Sequence, residues 1–206
     1  MERLLWFFGE VVSKRPKTVI ACAFALAAIC SLGIFSVVVD TDPRGYYKED
    51  SPIVYAAELI DEHLGGNLNM SVVFQGDIKN PGLMKRLDAL ERKIVALPEV
   101  GNTTSIARVV RQMSRAINDP GEPYYDRIPD SRNAVAQYFE LYSMSGDPDD
   151  FEKLVDFPYE HAIITARMNT ISTDTLKKFV SKVTDMSAND PHVVFVGGIG
   201  VVISDL

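Results

Sequence analysis

Outside one apolar run this chain has no cysteine: Cys22 and Cys30, its only two, both fall between Thr18 and Val39. Whatever folds in the rest of the sequence does so on its core alone, without a disulfide and without a thiol nucleophile. On one helix the two cysteines would stand roughly 12 Å apart, too far to bridge each other. Histidine is also scarce. His63, His161 and His192 are far apart, and none sits in a metal spacing such as H-E-x-x-H. The 13 glycines never build a phosphate-cradling loop followed by Lys-Ser or Lys-Thr, and no serine occupies a G-x-S-x-G setting. Clustered bases are missing too, since 21 Lys and Arg are scattered among 28 Asp and Glu. That balance argues against a nucleic-acid partner. The sequence therefore carries no recognisable catalytic set, and neither an enzyme, a cofactor nor a metal site is expected.

What the chain does have is the run TVIACAFALAAICSLGIFSVVV, Thr18 to Val39, 22 residues without a charge. As a helix it reaches roughly 33 Å, enough to cross a hydrocarbon core of about 30 Å. Lys14, Arg15 and Lys17 crowd its start, while Asp40 and Asp42 follow its end ahead of the first base, Arg44. Residues 1–17 carry four bases against two acids, and the remainder carries 17 bases against 26 acids. Positive charge stays in the cytoplasm, so the large acidic part is expected outside.

A cleaved secretory signal is the rival reading. Its apolar region would be about 7 to 15 residues long and end in a small-x-small site, whereas this run is longer and ends in Ser-Val-Val-Val. Val19-Ile20-Ala21-Cys22 imitates a lipoprotein acylation box, but Arg15-Pro16-Lys17 stands where the signal's apolar region would have to be. Before the run, Leu4, Leu5, Trp6, Phe7, Phe8, Val11 and Val12 form an apolar cluster suited to the cytoplasmic membrane surface, separated from the span by Pro16.

About 165 residues follow the span, enough for one domain with a sizeable core. After an extended exit over 40–52, Ser51-Pro52 opens a helix over Ile53 to Leu64, with Val54, Ala57, Ile60 and Leu64 on one stripe and Gly65-Gly66 as its stop. Met70 to Gln75 reads as a strand. Asn80-Pro81 opens a second helix carrying Leu83, Leu87, Leu90, Ile94 and Leu97, Pro98 ends it, and Val100 to Ile106 returns as a strand. The same grammar recurs as a strand over His161 to Met168, a helix over Thr173 to Met186 and a strand over His192 to Val196. Two such units side by side predict a ferredoxin-like arrangement, an antiparallel sheet covered on one face by helices, and hence an α+β class.

Between the units, Val109, Val110 and Met113 predict a short helix and Asn133 to Met144 another. Asn118-Asp119-Pro120-Gly121-Glu122-Pro123 and the residues to Pro129 form a dense loop. A loop this elaborate is either functional, a cover for a partner, or a solvated connector. At the far end, Gly197-Gly198 reads as a turn into an apolar start at Ile199, Val201, Val202, Ile203 and Leu206. The expectation is that the chain is an N-terminal fragment and that this segment is a helix returning to the membrane. A short terminal amphipathic helix is the alternative.

Three weaker signals have bland readings. His63 with Glu58, Asp61 and Glu62 is a solvated acidic face before it is a cation site. Asp40 and Asp42 are hydrated exit-side carboxylates. Gly197-Gly198-Ile199-Gly200 lacks the full dinucleotide fingerprint and fits a turn into a membrane helix better.

Asp40-Thr41-Asp42 after the span, Asp61-Glu62-His63-Leu64-Gly65-Gly66, LERKIVALPEV from Leu90 to Val100 with Thr104-Ser105, and Val196-Gly197-Gly198 together resemble the start of the resistance-nodulation-division transporters. The closer likeness is to the MmpL-like and hopanoid-exporter-like branch, in which Leu64 is more often phenylalanine. The resemblance spans essentially all 206 residues. It implies a proton-driven inner-membrane exporter of hydrophobic or amphiphilic molecules. Its parts here would be a cytoplasmic interfacial segment (1–17), a transmembrane helix (18–39), a periplasmic porter-like domain lining the substrate path (40–198) and the start of a returning helix (199–206). The proton-relay carboxylates would lie beyond Leu206. Partners would be the bilayer, the substrate, the remainder of the chain and further copies of it. The competing class is a single-span anchored binding or sensor module.

Overall fold

A computed structural model describes residues 16–34, 46–48, 50–145, 151–169 and 172–204. The chain divides into two compact units, 1–39 and 40–206. The interfacial cluster expected over 4–12 and the carboxylates Asp40 and Asp42 lie outside the described residues.

In the first unit, helix α1 runs Pro16–Ile34, so the helix begins two residues ahead of the uncharged run. Proline suits this first position, where its missing N–H costs nothing. The window Pro16–Gly33 is long and apolar enough to cross a membrane, and none of it is buried within the protein. Phe24, Leu26, Ile29 and Leu32 all stand exposed. The hydroxyl of Ser31 donates back to the Ala27 carbonyl at 2.8 Å, so this polar group needs no water. A helix with apolar side chains exposed along it has the length and composition of a membrane span or of a signal sequence. Cys22 and Cys30 are both exposed on it as free thiols.

The second unit begins its regular structure with α2, Pro52–Leu64, capped by Ser51 and closed by Gly65, whose left-handed φ of 80° turns its N–H onto the Ile60 carbonyl. There follow β1 (Leu68–Gln75), α3 (Pro81–Val95), β2 (Val100–Thr104), α4 (Ile106–Ile117), α5 (Arg132–Ser145), β3 (His161–Met168), α6 (Thr173–Ser187), β4 (Val193–Gly197) and α7 (Ile199–Ser204). The four strands form one antiparallel sheet in the order β2-β3-β1-β4. Each strand-helix-strand unit thus straddles a strand of the other within the antiparallel sheet that the repeated grammar predicted. β1 and β3 are in continuous register from Leu68 opposite Met168 to Gln75 opposite His161.

Period-two alternation decides which face is covered. Met70, Val72 and Phe74 of β1 and Ala162, Ile164, Ala166 and Met168 of β3 are buried in one core with Leu83, Met84, Leu87 and Ile94 of α3 and Leu176, Phe179 and Val183 of α6. The alternate residues Asn69, Ser71, Val73, Gln75, Ile163, Thr165 and Arg167 are half-buried or exposed. Two further helices, α4 and α5, add Val110, Val135 and Phe139 to the core. Phe139 stacks on Tyr159 at 5.7 Å and meets Phe151 edge-on at 5.6 Å.

Several boundaries depart from expectation: β1 begins at Leu68 rather than Met70, and α3 ends at Val95, leaving Leu97 outside it. The strand expected to reach Ile106 stops at Thr104, because Ser105 takes an extended conformation and accepts the Arg108 N–H at 3.1 Å as the cap of α4. At the other end α7 starts at Ile199, where a helix was expected, and packs against α6, β1 and β4. Gly198 makes this possible: its φ is 123°, and a Cβ there would lie 2.7 Å from the Asn69 carbonyl oxygen.

Candidate functional site

None of the residues weighed from sequence assembles into a reaction centre. His63 is exposed and its ring stands 3.3 Å from its own helix's Leu59 carbonyl; Glu58 and Glu62 are exposed beside it. His161 faces Asp156 at 2.8 Å, and His192 faces the Gln75 carbonyl at 3.0 Å, at the two ends of hairpin and strand connections. Burial opposes ionisation of Asp156, but the backbone N–H groups of His161 and Glu160 and the His161 ring outweigh it and hold this carboxyl below its ordinary range. Among the described residues no three His, Cys, Asp or Glu are grouped so as to hold a metal ion.

The chemistry that does converge is buried under α3. Glu91 is only 1% exposed; its Oε1 accepts from Thr103 Oγ1 at 2.8 Å and its Oε2 from Ser105 Oγ at 2.6 Å. Thr103 Oγ1 in turn accepts from Arg108 Nη1 at 3.0 Å, which also bonds the Thr103 carbonyl at 2.9 Å. A buried carboxylate is therefore fully engaged, with a guanidinium one hydroxyl away. This network fixes the turn between β2 and α4. It also explains why a glutamate sits in LERKIVALPEV: Met84, Leu87, Glu91 and Ile94 follow each other at helical spacing, so Glu91 occupies a core position. That polar interruption of an apolar stripe was the sequence signal for it.

The same signal marks α4, whose buried stripe Ala107, Val110, Arg111 and Ser114 ends in two polar residues. Arg111 Nε lies 2.6 Å from Asp88 on α3, and its Nη1 lies 3.4 Å from Asp126; Arg115 Nε reaches Asp126 at 2.9 Å. Ser114 donates to the Tyr124 carbonyl and accepts the Arg127 N–H. Lys85 binds Asp130, and Arg132 binds Asp77 at 2.7 Å. The elaborate loop over 118–131 is thus a strap latched to α3 and α4, and Arg132, the first residue of α5 after it, ties its far end to the β1–α3 turn. Three of its latching carboxyls are held below their ordinary range. For Asp77 the cause is the Arg132 hydrogen bond, and for Asp130 the Lys85 hydrogen bond. For Asp126, burial works the other way but Arg115 and Arg111 prevail.

The sequence matches no protein-family profile and no curated protein. Function must accordingly be argued from surface and site. Among the described residues the second unit exposes large apolar side chains at several places, Phe157 and Met144 most of all, and α2 and β4 each carry more than one. On α2, Ile53, Tyr55, Leu59 and Leu64 stand in solvent, with Val54 alone buried. On the edge strand β4, Val194 and Phe195 are exposed, Phe195 by 62%. Single exposed apolar residues need no explanation; β4 is also an edge strand of the sheet.

Proposed function

We propose that this chain is the N-terminal part of a proton-driven membrane exporter of hydrophobic or amphiphilic molecules, its second unit a periplasmic porter-type domain beside the substrate path. The observation that carries the reading is the order of parts: an unpacked apolar helix, then an interleaved pair of strand-helix-strand units, then a glycine turn from β4 straight into a further helix at Ile199. The exposed apolar side chains of α2 and β4 fit a domain that completes its packing against the rest of a larger assembly. The motif around Glu91 supports it as well, because the resemblance rests partly on LERKIVALPEV and that segment builds the buried network.

Two measurements test this. Reading the genomic frame beyond Leu206 should reveal several further apolar runs, the first continuing from Ile199. A strain lacking the gene should show altered envelope lipids or heightened sensitivity to hydrophobic drugs. A frame that stops at Leu206, or an unchanged envelope and unchanged sensitivity, overturns the exporter reading. The second reading, an anchored binding or sensor module, draws on the second unit having a core of its own. In that case residues 40–198 expressed alone should give a folded, ligand-competent monomer.

A further inference from the structure

Where the strap passes the start of α5 it leaves a cavity of about 330 Å³. That is the lower end of the range of ligand cavities, roughly 300 to 1,000 Å³. Tyr124, Tyr138, Pro129 and Ala134 make its apolar walls. Arg127 lines it too and differs from its neighbours. Among the described arginines it is the one whose side chain has no hydrogen bond and no carboxylate within 4 Å, whereas Arg111, Arg115 and Arg132 are all committed to aspartates. Asp130 also lines the cavity and feels the Arg127 charge, but its carboxylate is bound by Lys85, so that pair contributes little net field. Ser131 and Ala134, the cap and first turn of the 14-residue α5, face the same space, which adds the positive end of a helix dipole.

We propose that this cavity binds a small anionic amphiphile, a carboxylate head on one aliphatic or aromatic body, with Arg127 pairing the head and the two tyrosines, Pro129 and Ala134 enclosing the body. A planar, always-charged guanidinium is the group suited to a carboxylate, and a wall of tyrosine, proline and alanine suits an apolar body. The size admits a single short chain. The inference goes beyond the export reading, since the site would serve an anchored binding module equally. A chain that binds here and exports nothing would keep the site and lose the transporter.

The test uses the whole 206-residue chain in nanodiscs of zwitterionic lipid, with ¹³C-methyl NMR on Ala134 and the signals of Tyr138 read against octanoate, octanol and acetate. Octanoate should shift both residues saturably. Octanol, with the same body and no charge, should bind about tenfold more weakly or worse, as expected for loss of a charged hydrogen bond. Acetate, with no body, should not saturate. Arg127→Gln should bring octanoate down to the octanol level, and because Arg127 is exposed that variant should fold. Ala134→Leu, which fills the cavity, should weaken both long ligands. Equal affinity for octanoate and octanol, octanoate binding unchanged in Arg127→Gln, or no shift at Ala134 would each overturn the proposal.

Discussion

Removing the carboxylate of Glu91 tests the central claim about how the second unit is held together. In Glu91→Leu the volume stays near that of the original side chain, while Thr103 Oγ1 and Ser105 Oγ lose the acceptor they reach at 2.8 and 2.6 Å. Both hydroxyls are buried, and Thr103 and Ser105 are 2% and 0% exposed. Leaving a buried group unsatisfied costs about 1 to 3 kcal/mol each, so the expected loss for the two is roughly 2 to 6 kcal/mol. Against a total stability of about 5 to 15 kcal/mol this is a large fraction. At about 2 to 4 °C per kcal/mol for a domain of this size, the thermal midpoint should fall by roughly 4 to 24 °C. Glu91→Gln should cost less, about 1 to 2 kcal/mol, because its carbonyl keeps one acceptor and its amide can donate to a hydroxyl that turns round.

Urea unfolding of the whole chain in nanodiscs, followed by far-UV circular dichroism, provides the assay. The double-mutant cycle with Thr103→Val isolates the contact. If Thr103 and Glu91 act through their hydrogen bond, the two changes together should cost about 1 to 2 kcal/mol less than their sum. Ser105→Ala is the poorer partner for the cycle, since Ser105 also caps α4 and its loss carries about another 1 kcal/mol. A Glu91→Leu cost below about 1 kcal/mol, or a strictly additive cycle, would refute the argument that this carboxylate organises the turn.

Three further outcomes are expected. Gly66→Ala should prevent folding or destabilise severely, because φ is 109° and a Cβ there would lie 1.7 Å from the Met168 carbonyl oxygen; soluble yield and melting temperature of the variant decide it. Phe24→Asp, at mid-height in α1, should cost about 3 kcal/mol of insertion and shift the chain from the carbonate-resistant membrane fraction to the soluble one, and an unchanged distribution would argue against α1 as a span. Acid should loosen the strap before the sheet. The folded pKa values of Asp77, Asp126 and Asp130 lie below their ordinary range, so their stabilisation is complete above the unfolded value of about 3.9 and is lost as pH falls through the depressed folded values. Hydrogen exchange should show amides of 118–131 losing protection below about pH 4 while β1 and β3 keep theirs; simultaneous loss would contradict the latch.

The parts of this fold that were legible in the sequence are those set by short-range periodicity. His161 to Met168 alternates cleanly enough to fix the strand to the residue, and the proline-opened helix after Asn80 buries the stripe its spacing demanded. The return at Ser105 was missed because Val100 to Ile106 is apolar at both ends, and only the cap bond to Arg108 shows the chain turning helical. The polar contacts were illegible for a different reason. Asp77 meets Arg132 across 55 positions and Lys85 meets Asp130 across 45, so no local window brings the partners together. Glu91 and Arg111 were half-legible, each a charged residue at a core position of an amphipathic helix, and that pattern announces a buried partner without naming it.

Apart from the Asp77–Arg132 pair, these contacts share one element. α3 presents Glu91 to the β2–α4 turn, Asp88 to Arg111 of α4, Lys85 to the strap and Arg86 to Asp190 just ahead of β4, the last pair 3.7 Å apart. One helix of the first strand-helix-strand unit thereby holds the connection between the units and the entry to the final strand of the second. Exposed pairs such as Lys85 with Asp130 add little energy on their own. Their value is in coupling: while its ion pairs hold, a connection tied to α3 is held to the helix whose Leu83, Leu87 and Ile94 fill the core. A domain built this way is expected to move as one body while those pairs hold. Rocking of whole domains in a transporter requires that property, and a sensor that answers its ligand by local rearrangement would not. Protection that decays uniformly across α3, the strap and β4 in hydrogen exchange at neutral pH would favour the first behaviour. A strap that opens alone at neutral pH would favour the second.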